Sequence, residues 1–164
     1  MLLLLVAIAL AAPEMIPESV WTAVRSQPEG AAADFEIPLK EGGSFQMTAH
    51  RGKPVLLSFW ASWCSPCRRE LPALSAWAKE HPELTVLAVN VDRTAESAQA
   101  FLDRTPLDLQ IAYDPDAKHL GQYGITSMPT MLLFDGEGQL SWRHVGFSEE
   151  KGLSELDAAV RELK

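Results

Sequence analysis

Hydrophobic and polar positions along this chain repeat with two different periods, and each change of period marks a change of element. Residues Pro54 to Trp60 are β-rich and mostly apolar, which predicts a strand. From Cys64 to Glu80 the apolar residues Leu71, Leu74, Trp77 and Ala78 recur at helical spacing. Leu84 to Val91 predicts another strand ending at Asn90-Val91-Asp92, and Thr94 can cap a helix running to about Arg104. Leu107 to Tyr113 reads as a short strand and Asp116 to Tyr123 as a helical turn or two. Met131 to Phe134 and Leu140 to Val145 flank Asp135-Gly136-Glu137-Gly138, the pattern of an antiparallel hairpin. Leu153, Leu156, Val160 and Leu163 then mark an amphipathic helix, opened by Ser148 with glutamates in its first turn. Upstream, Phe35 to Leu39 and Ser44 to Thr48 surround Glu41-Gly42-Gly43 as a second hairpin. Strands alternating with helices, closed by a hairpin and a helix, predict an α/β fold with a mixed sheet and helices on both sides.

The first 33 residues follow a different logic. Leu2 to Ala12 is an unbroken apolar run, shorter than the roughly 20 residues that span a bilayer. It reads as the core of a signal peptide with Ala9-Leu10-Ala11 as a small-x-small cleavage site, or as a truncated membrane anchor, since no Lys or Arg precedes it. Both readings export the domain. Val20, Trp21 and Val24 share a face within Pro17 to Gln27, a short helix, and Pro28 to Ala33 is a linker. The organisation expected is therefore residues 1–12 as leader, 13–33 as helix and linker, and 34–164 as the folded domain. A chain of 164 residues, 47% of them hydrophobic, supports one good core. Its net charge of −8 and the absence of a basic stripe argue against nucleic acid as a partner.

Chemistry concentrates at the two cysteines, the only ones in the chain, in Phe59-Trp60-Ala61-Ser62-Trp63-Cys64-Ser65-Pro66-Cys67. Cys64 falls at the first turn of the predicted helix, where unpaired N–H groups and the positive dipole end favour an anion. Its thiol should therefore ionise more readily than free cysteine, whose pKa is about 8.5. Cys67 lies one turn inward, close enough for a disulfide and shielded from an outside substrate. That makes Cys64 the candidate nucleophile and Cys67 the resolving thiol. The spacing alone also fits half a zinc site or an inert disulfide. Zinc would need two more soft ligands, yet His50, His81, His119 and His144 are scattered singly and read as surface or capping residues. No metal and no cofactor is expected.

These residues resemble the thioredoxin superfamily, and within it the TlpA/ResA-like thiol-disulfide oxidoreductases of the bacterial envelope. The resemblance runs from about Phe35 to the C-terminus. It rests on Arg51-Gly52-Lys53-Pro54, on the Phe59-to-Cys67 block with Arg68-Arg69-Glu70-Leu71-Pro72, and on Tyr123-Gly124-Ile125-Thr126-Ser127-Met128-Pro129-Thr130. It implies a thioredoxin-like fold with an N-terminal β-hairpin and a helix-strand insertion around Thr94 to Tyr113. It also implies a cis Met128-Pro129 bond beside the cysteines, with Met128 offering main-chain groups to an extended substrate segment and Trp63 forming part of the docking surface. Thioredoxins proper keep a buried Asp six positions before the first cysteine. Ser58 stands there in this chain and cannot titrate usefully, so Glu70 is the residue expected to take the proton from Cys67.

The activity implied is exchange with disulfide-containing proteins in a periplasmic or other extracytoplasmic compartment, recharged by a membrane thiol donor. Apocytochrome c maturation is one client process the resemblance suggests. The branch whose cis-proline is followed by glutamate fits less well, because Thr130 holds that position. Ser65-Pro66, without a histidine between the cysteines, favours a reductant. A rival from a different class is an exported Cu(I)-binding module using Cys64, Cys67 and Met128 as soft ligands.

Overall fold

The structure, a computed structural model, describes residues 33–148, Lys151 and residues 153–163. The apolar run Leu2 to Ala12, the helix expected over Pro17 to Gln27 and most of the linker lie outside the described residues. Among those described, no helix is long and apolar enough to cross a membrane.

A short hairpin comes first, β1 (Glu36–Pro38) and β2 (Ser44–Gln46), paired antiparallel with Ile37 opposite Phe45. Its turn needs two residues in the left-handed region, and Gly42 (φ 95°) and Gly43 (φ 74°) supply them without a Cβ clash. A 3₁₀ turn at Met47–His50 replaces the end of the expected second strand. There follow β3 (Val55–Trp60), α1 (Ser65–Glu80), β4 (Thr85–Asn90), α2 (Ala95–Leu102), β5 (Gln110–Tyr113), α3 (Lys118–Gln122), β6 (Thr130–Phe134), β7 (Leu140–Val145) and α4 (Ser154–Glu162). The five-stranded sheet runs β5-β4-β3-β6-β7, parallel across β3, β4 and β5 and antiparallel from β3 through β6 to β7. Strand β5 extends the sheet beyond β4, and Leu39 bridges to Ala112, so the N-terminal hairpin covers that edge.

All six residues of β3 are buried, and their alternation divides the interior in two. Leu56 packs with Leu74 and Trp77 of α1, Val86, Met131, Leu133 and the apolar stripe Leu156, Ala159 and Val160 of α4. Leu57 and Phe59 join Leu132 and Phe134 with Phe35, Ile37, Phe45 and Met47 from the hairpin region. The central strand is thus fixed from both sides, which holds its C-terminal end and the loop to α1 rigid.

Three element ends differ from expectation. Helix α4 starts at Ser154, not at Ser148, and its first-turn acids are Glu155 and Asp157; Glu149 and Glu150 lie outside the described residues. Thr94 does stand at the N-cap of α2, but its hydroxyl sits 3.2 Å from that of Ser97 instead of capping a backbone N–H. The strand expected from Leu107 pairs only from Gln110 onward, where β4 is beside it.

Candidate active site

Strand β3 delivers the chain to Trp60, and a turn closed by Cys64 N donating to Ala61 O at 3.1 Å leads into α1. Cys64 is the N-cap of that helix, with extended backbone angles, and its Sγ accepts from the Cys67 backbone N–H at 3.3 Å. The sulfur occupies the place where an N-cap oxygen usually satisfies an orphan donor, so negative charge on it is stabilised. Pro66 at the start of α1 loses no helical hydrogen bond. Cys64 and Cys67 are joined as a disulfide with their Cα atoms 5.3 Å apart. Their surroundings differ: Cys64 keeps 6% exposure at the wall of a groove, whereas Cys67 is sealed.

That groove, about 380 Å³, is bounded by Trp63, Cys64 and Pro66 on one side and Ile125, Thr126 and Met128 on the other. Trp63 projects 70% exposed next to Cys64, while Trp60 is wholly in the core. The Met128-Pro129 peptide is cis. Thr130 Oγ1 donates to Ser127 O at 2.6 Å and Gly146 N donates to Pro129 O at 2.8 Å, which ties this turn to β6 and β7.

Behind Cys67 lies Glu70, one turn further along α1 and fully buried. Ser58 of β3 donates its hydroxyl to Glu70 Oε1 at 2.5 Å, and Oε2 has no partner among the described residues. Removal from water pushes the carboxyl up to about 7 from an ordinary 4.5, with the Ser58 hydrogen bond opposing that rise. A carboxyl poised there can hold or release a proton near neutral pH. Ser58, set aside in the sequence because it does not titrate, is the polar partner that makes this burial tolerable. Its signal was a lone hydroxyl on the same strand parity as Leu56 and Trp60.

A second buried acid, Asp92, carries no site signal in the sequence. It is 3% exposed at the end of β4 and accepts from Ser62 N at 3.0 and 3.2 Å, Ser62 Oγ at 3.1 Å and Asn90 Nδ2 at 2.9 Å. It therefore tethers the turn that presents Cys64. Asn90-Val91-Asp92 had read only as a strand terminus.

The four histidines stay apart from the groove lining. His50 stacks on Phe45, His81 on Trp77 and His144 on Trp142, all partly exposed. His119 departs from the expected surface role. It is 4% exposed, edge-on to Phe35, with Nδ1 3.1 Å from Asp114, whose carboxylate also accepts the backbone N–H groups of Lys118 and His119. Arg68 and Arg69 are exposed on α1, and Arg69 Nη1 reaches Ser65 Oγ at 2.9 Å. Among the described residues no group of three or more His, Cys, Asp or Glu side chains converges as a metal site.

Comparison with known proteins agrees with this geometry. The model of the AhpC/TSA family matches residues 28–143. The thiol-disulfide oxidoreductase ResA of Halalkalibacterium halodurans is 32% identical over 132 residues, covering 79% of this chain and 75% of that protein. Among solved structures, a Chlorobium tepidum protein given the provisional name thiol:disulfide interchange protein DsbE is 33% identical with a TM-score of 0.75, covering 80% of this chain and 94% of its own. The exposed lipoprotein thioredoxin Etrx1 of Streptococcus pneumoniae strain TIGR4 is 32% identical with a TM-score of 0.69, covering 79% and 99%. The chain belongs to the AhpC/TSA family and is a ResA-like thiol-disulfide oxidoreductase with the thioredoxin fold.

Proposed function

We propose that this oxidoreductase works outside the cytoplasm as a reductant of protein disulfides. The observation that carries the reading is the asymmetry of the pair: Cys64 borders an open groove at a helix N-terminus, and Cys67 is enclosed beside a carboxyl that titrates near neutrality. In the reduced chain the Cys64 thiolate attacks one sulfur of a client disulfide. The client S–S bond breaks, its other sulfur leaves as a thiolate that takes a proton, and a mixed disulfide forms on Cys64. Glu70, ionised at that stage, accepts the Cys67 proton as Cys67 attacks Cys64 Sγ. The second client thiolate departs and is protonated in turn, so the client gains two electrons and the Cys64–Cys67 pair loses them.

Trp63, Met128 and Pro129 form the docking edge in this reading, with an extended client segment laid along the groove. The likeness to an exposed lipoprotein thioredoxin supports export, as does the leader-like run Leu2 to Ala12. Repeated turnover there needs a thiol donor, and a membrane dithiol protein is the donor the family resemblance implies. Apocytochrome c and other exported cysteine proteins are its client classes. The use of Cys64, Cys67 and Met128 for Cu(I) gains no observation of its own.

Direction is tested by equilibrating the pair with dithiothreitol or glutathione buffers and reading the oxidised fraction. A reductant stays oxidised against the glutathione couple and is reduced only by the stronger dithiol. A pair reduced by glutathione at ordinary ratios would make the chain an oxidant. Cys67→Ser should accumulate the mixed disulfide on Cys64, and Cys64→Ser should form none.

A further inference from the structure

We infer that Arg143 is a positioning residue for client recognition, acting through the loop that forms the far wall of the groove. This rests on the docking role proposed for that groove. Arg143 lies on β7 opposite Leu132 and is half-buried. Its Nη1 donates to Tyr123 O at 2.8 Å and its Nη2 to Gly124 O at 3.1 Å. These carbonyls stand where α3 ends and the chain turns toward the cis-proline, with Gly124 at φ 56°. One guanidinium fork thus satisfies the carbonyl of the helix C-cap and that of the residue after it, with a cation at the end the dipole favours.

Downstream, residues 125–128 hang between two sets of anchors. At the entry Ile125 N donates to Leu120 O at 2.9 Å and Arg143 adds its two side-chain bonds, and the Thr130 hydroxyl and Gly146 N–H hold the exit. Between them the backbone N–H groups of Thr126, Ser127 and Met128 have no backbone partner among the described residues. Such groups can pair with an incoming extended segment, and their value depends on being held in place beforehand. Arg143 itself is not among the groove-lining residues, so its effect reaches the client through the loop and not through the sulfurs.

Two probes with one leaving group separate this role from general damage. The first is an unstructured peptide of about ten residues whose single cysteine is disulfide-linked to thionitrobenzoate, long enough to lie along the loop as an added strand. The second is N-acetylcysteine amide carrying the same group. In both, Cys64 attacks the mixed disulfide, and after Cys67 closes the ring the products are free thionitrobenzoate, the cysteine thiol and the oxidised pair. With the reduced chain, Arg143→Gln should slow release from the peptide about tenfold, which corresponds to about 1.4 kcal/mol. Release from the small probe should stay within about twofold of the unmutated chain, since its reaction depends on the thiolate and not on the loop. Arg143→Lys, able to reach one carbonyl, should recover part of the loss. Equal losses on both probes, or none on the peptide, would overturn the role of Arg143 while leaving the oxidoreductase reading intact. An unmutated chain that releases thionitrobenzoate from neither probe would overturn that reading and the inference with it.

Discussion

Replacing Glu70 by Gln should make the oxidised protein more stable at pH 8 while leaving its stability at pH 4 nearly unchanged relative to the parent. In the fold this carboxyl titrates at about 7, against 4.5 in an ordinary setting. At about 1.4 kcal/mol per pH unit, ionising it inside the protein costs about 3 kcal/mol. Because the folded-state value is the higher one, the native state holds the extra proton between the two values. Glu70 therefore favours folding below about pH 4.5, and that contribution is lost as pH rises through 7. His50 works in the opposite sense. Burial lowers its value below 6.5, so its contribution grows as pH rises through that point, and the parent's raw profile mixes the two. The difference between parent and Glu70→Gln cancels His50. With Cys64 and Cys67 joined as a disulfide, no thiol titrates in this range. Urea unfolding at closely spaced pH values from 4 to 8 should show the difference growing by about 3 kcal/mol, on top of a pH-independent offset from burying the amide. Parallel profiles would refute the reasoning, because they would mean that Glu70 titrates alike in the folded and unfolded chains.

Ser58→Ala removes the one hydrogen bond that holds Glu70 down, so the carboxyl should titrate higher still. A ¹³C NMR titration of the Glu70 carboxyl reads this directly, and a lower midpoint would contradict it. Asp92→Ala strands Ser62 N, Ser62 Oγ and Asn90 Nδ2 in a partly buried site and should cost on the order of 3 kcal/mol in urea unfolding, with slower alkylation of Cys64 as its turn loosens. A loss under about 1 kcal/mol would mean water replaces the carboxylate. Gly43→Ala forces a Cβ into φ 74° and should cost about 1 kcal/mol without altering the cysteines, because the hairpin turn is open around it.

Most of what positions the cysteines was legible in the residues. The apolar run ending at Trp60 and the helical stripe from Leu71 to Trp77 place Cys64 at a strand-to-helix junction, because both periods are long and change within a few residues. Contacts that join distant parts of the chain were not legible. Ser58 meets Glu70 across 12 residues and Ser62 meets Asp92 across 30, and neither spacing has a local signature. His119 looked like a surface residue because α3 spans only Lys118–Gln122, too few residues to show which side faces Phe35. Ser148 resembled a cap because serine followed by glutamates is a common helix opening, whereas the chain first turns through Lys151 and Leu153, and Ser154 begins the helix.

Exchange through this pair requires one sulfur to be ionised and accessible while its neighbour is enclosed. Alkylating the reduced protein with iodoacetamide across pH 5 to 10, and assigning the modified residue by mass spectrometry, tests this most directly. Cys64 should react first, with a midpoint below that of a free thiol, and Cys67 should remain unmodified until the chain is unfolded. Equal rates at the two cysteines, or a Cys64 midpoint at or above the roughly 8.5 of a free thiol, would contradict it.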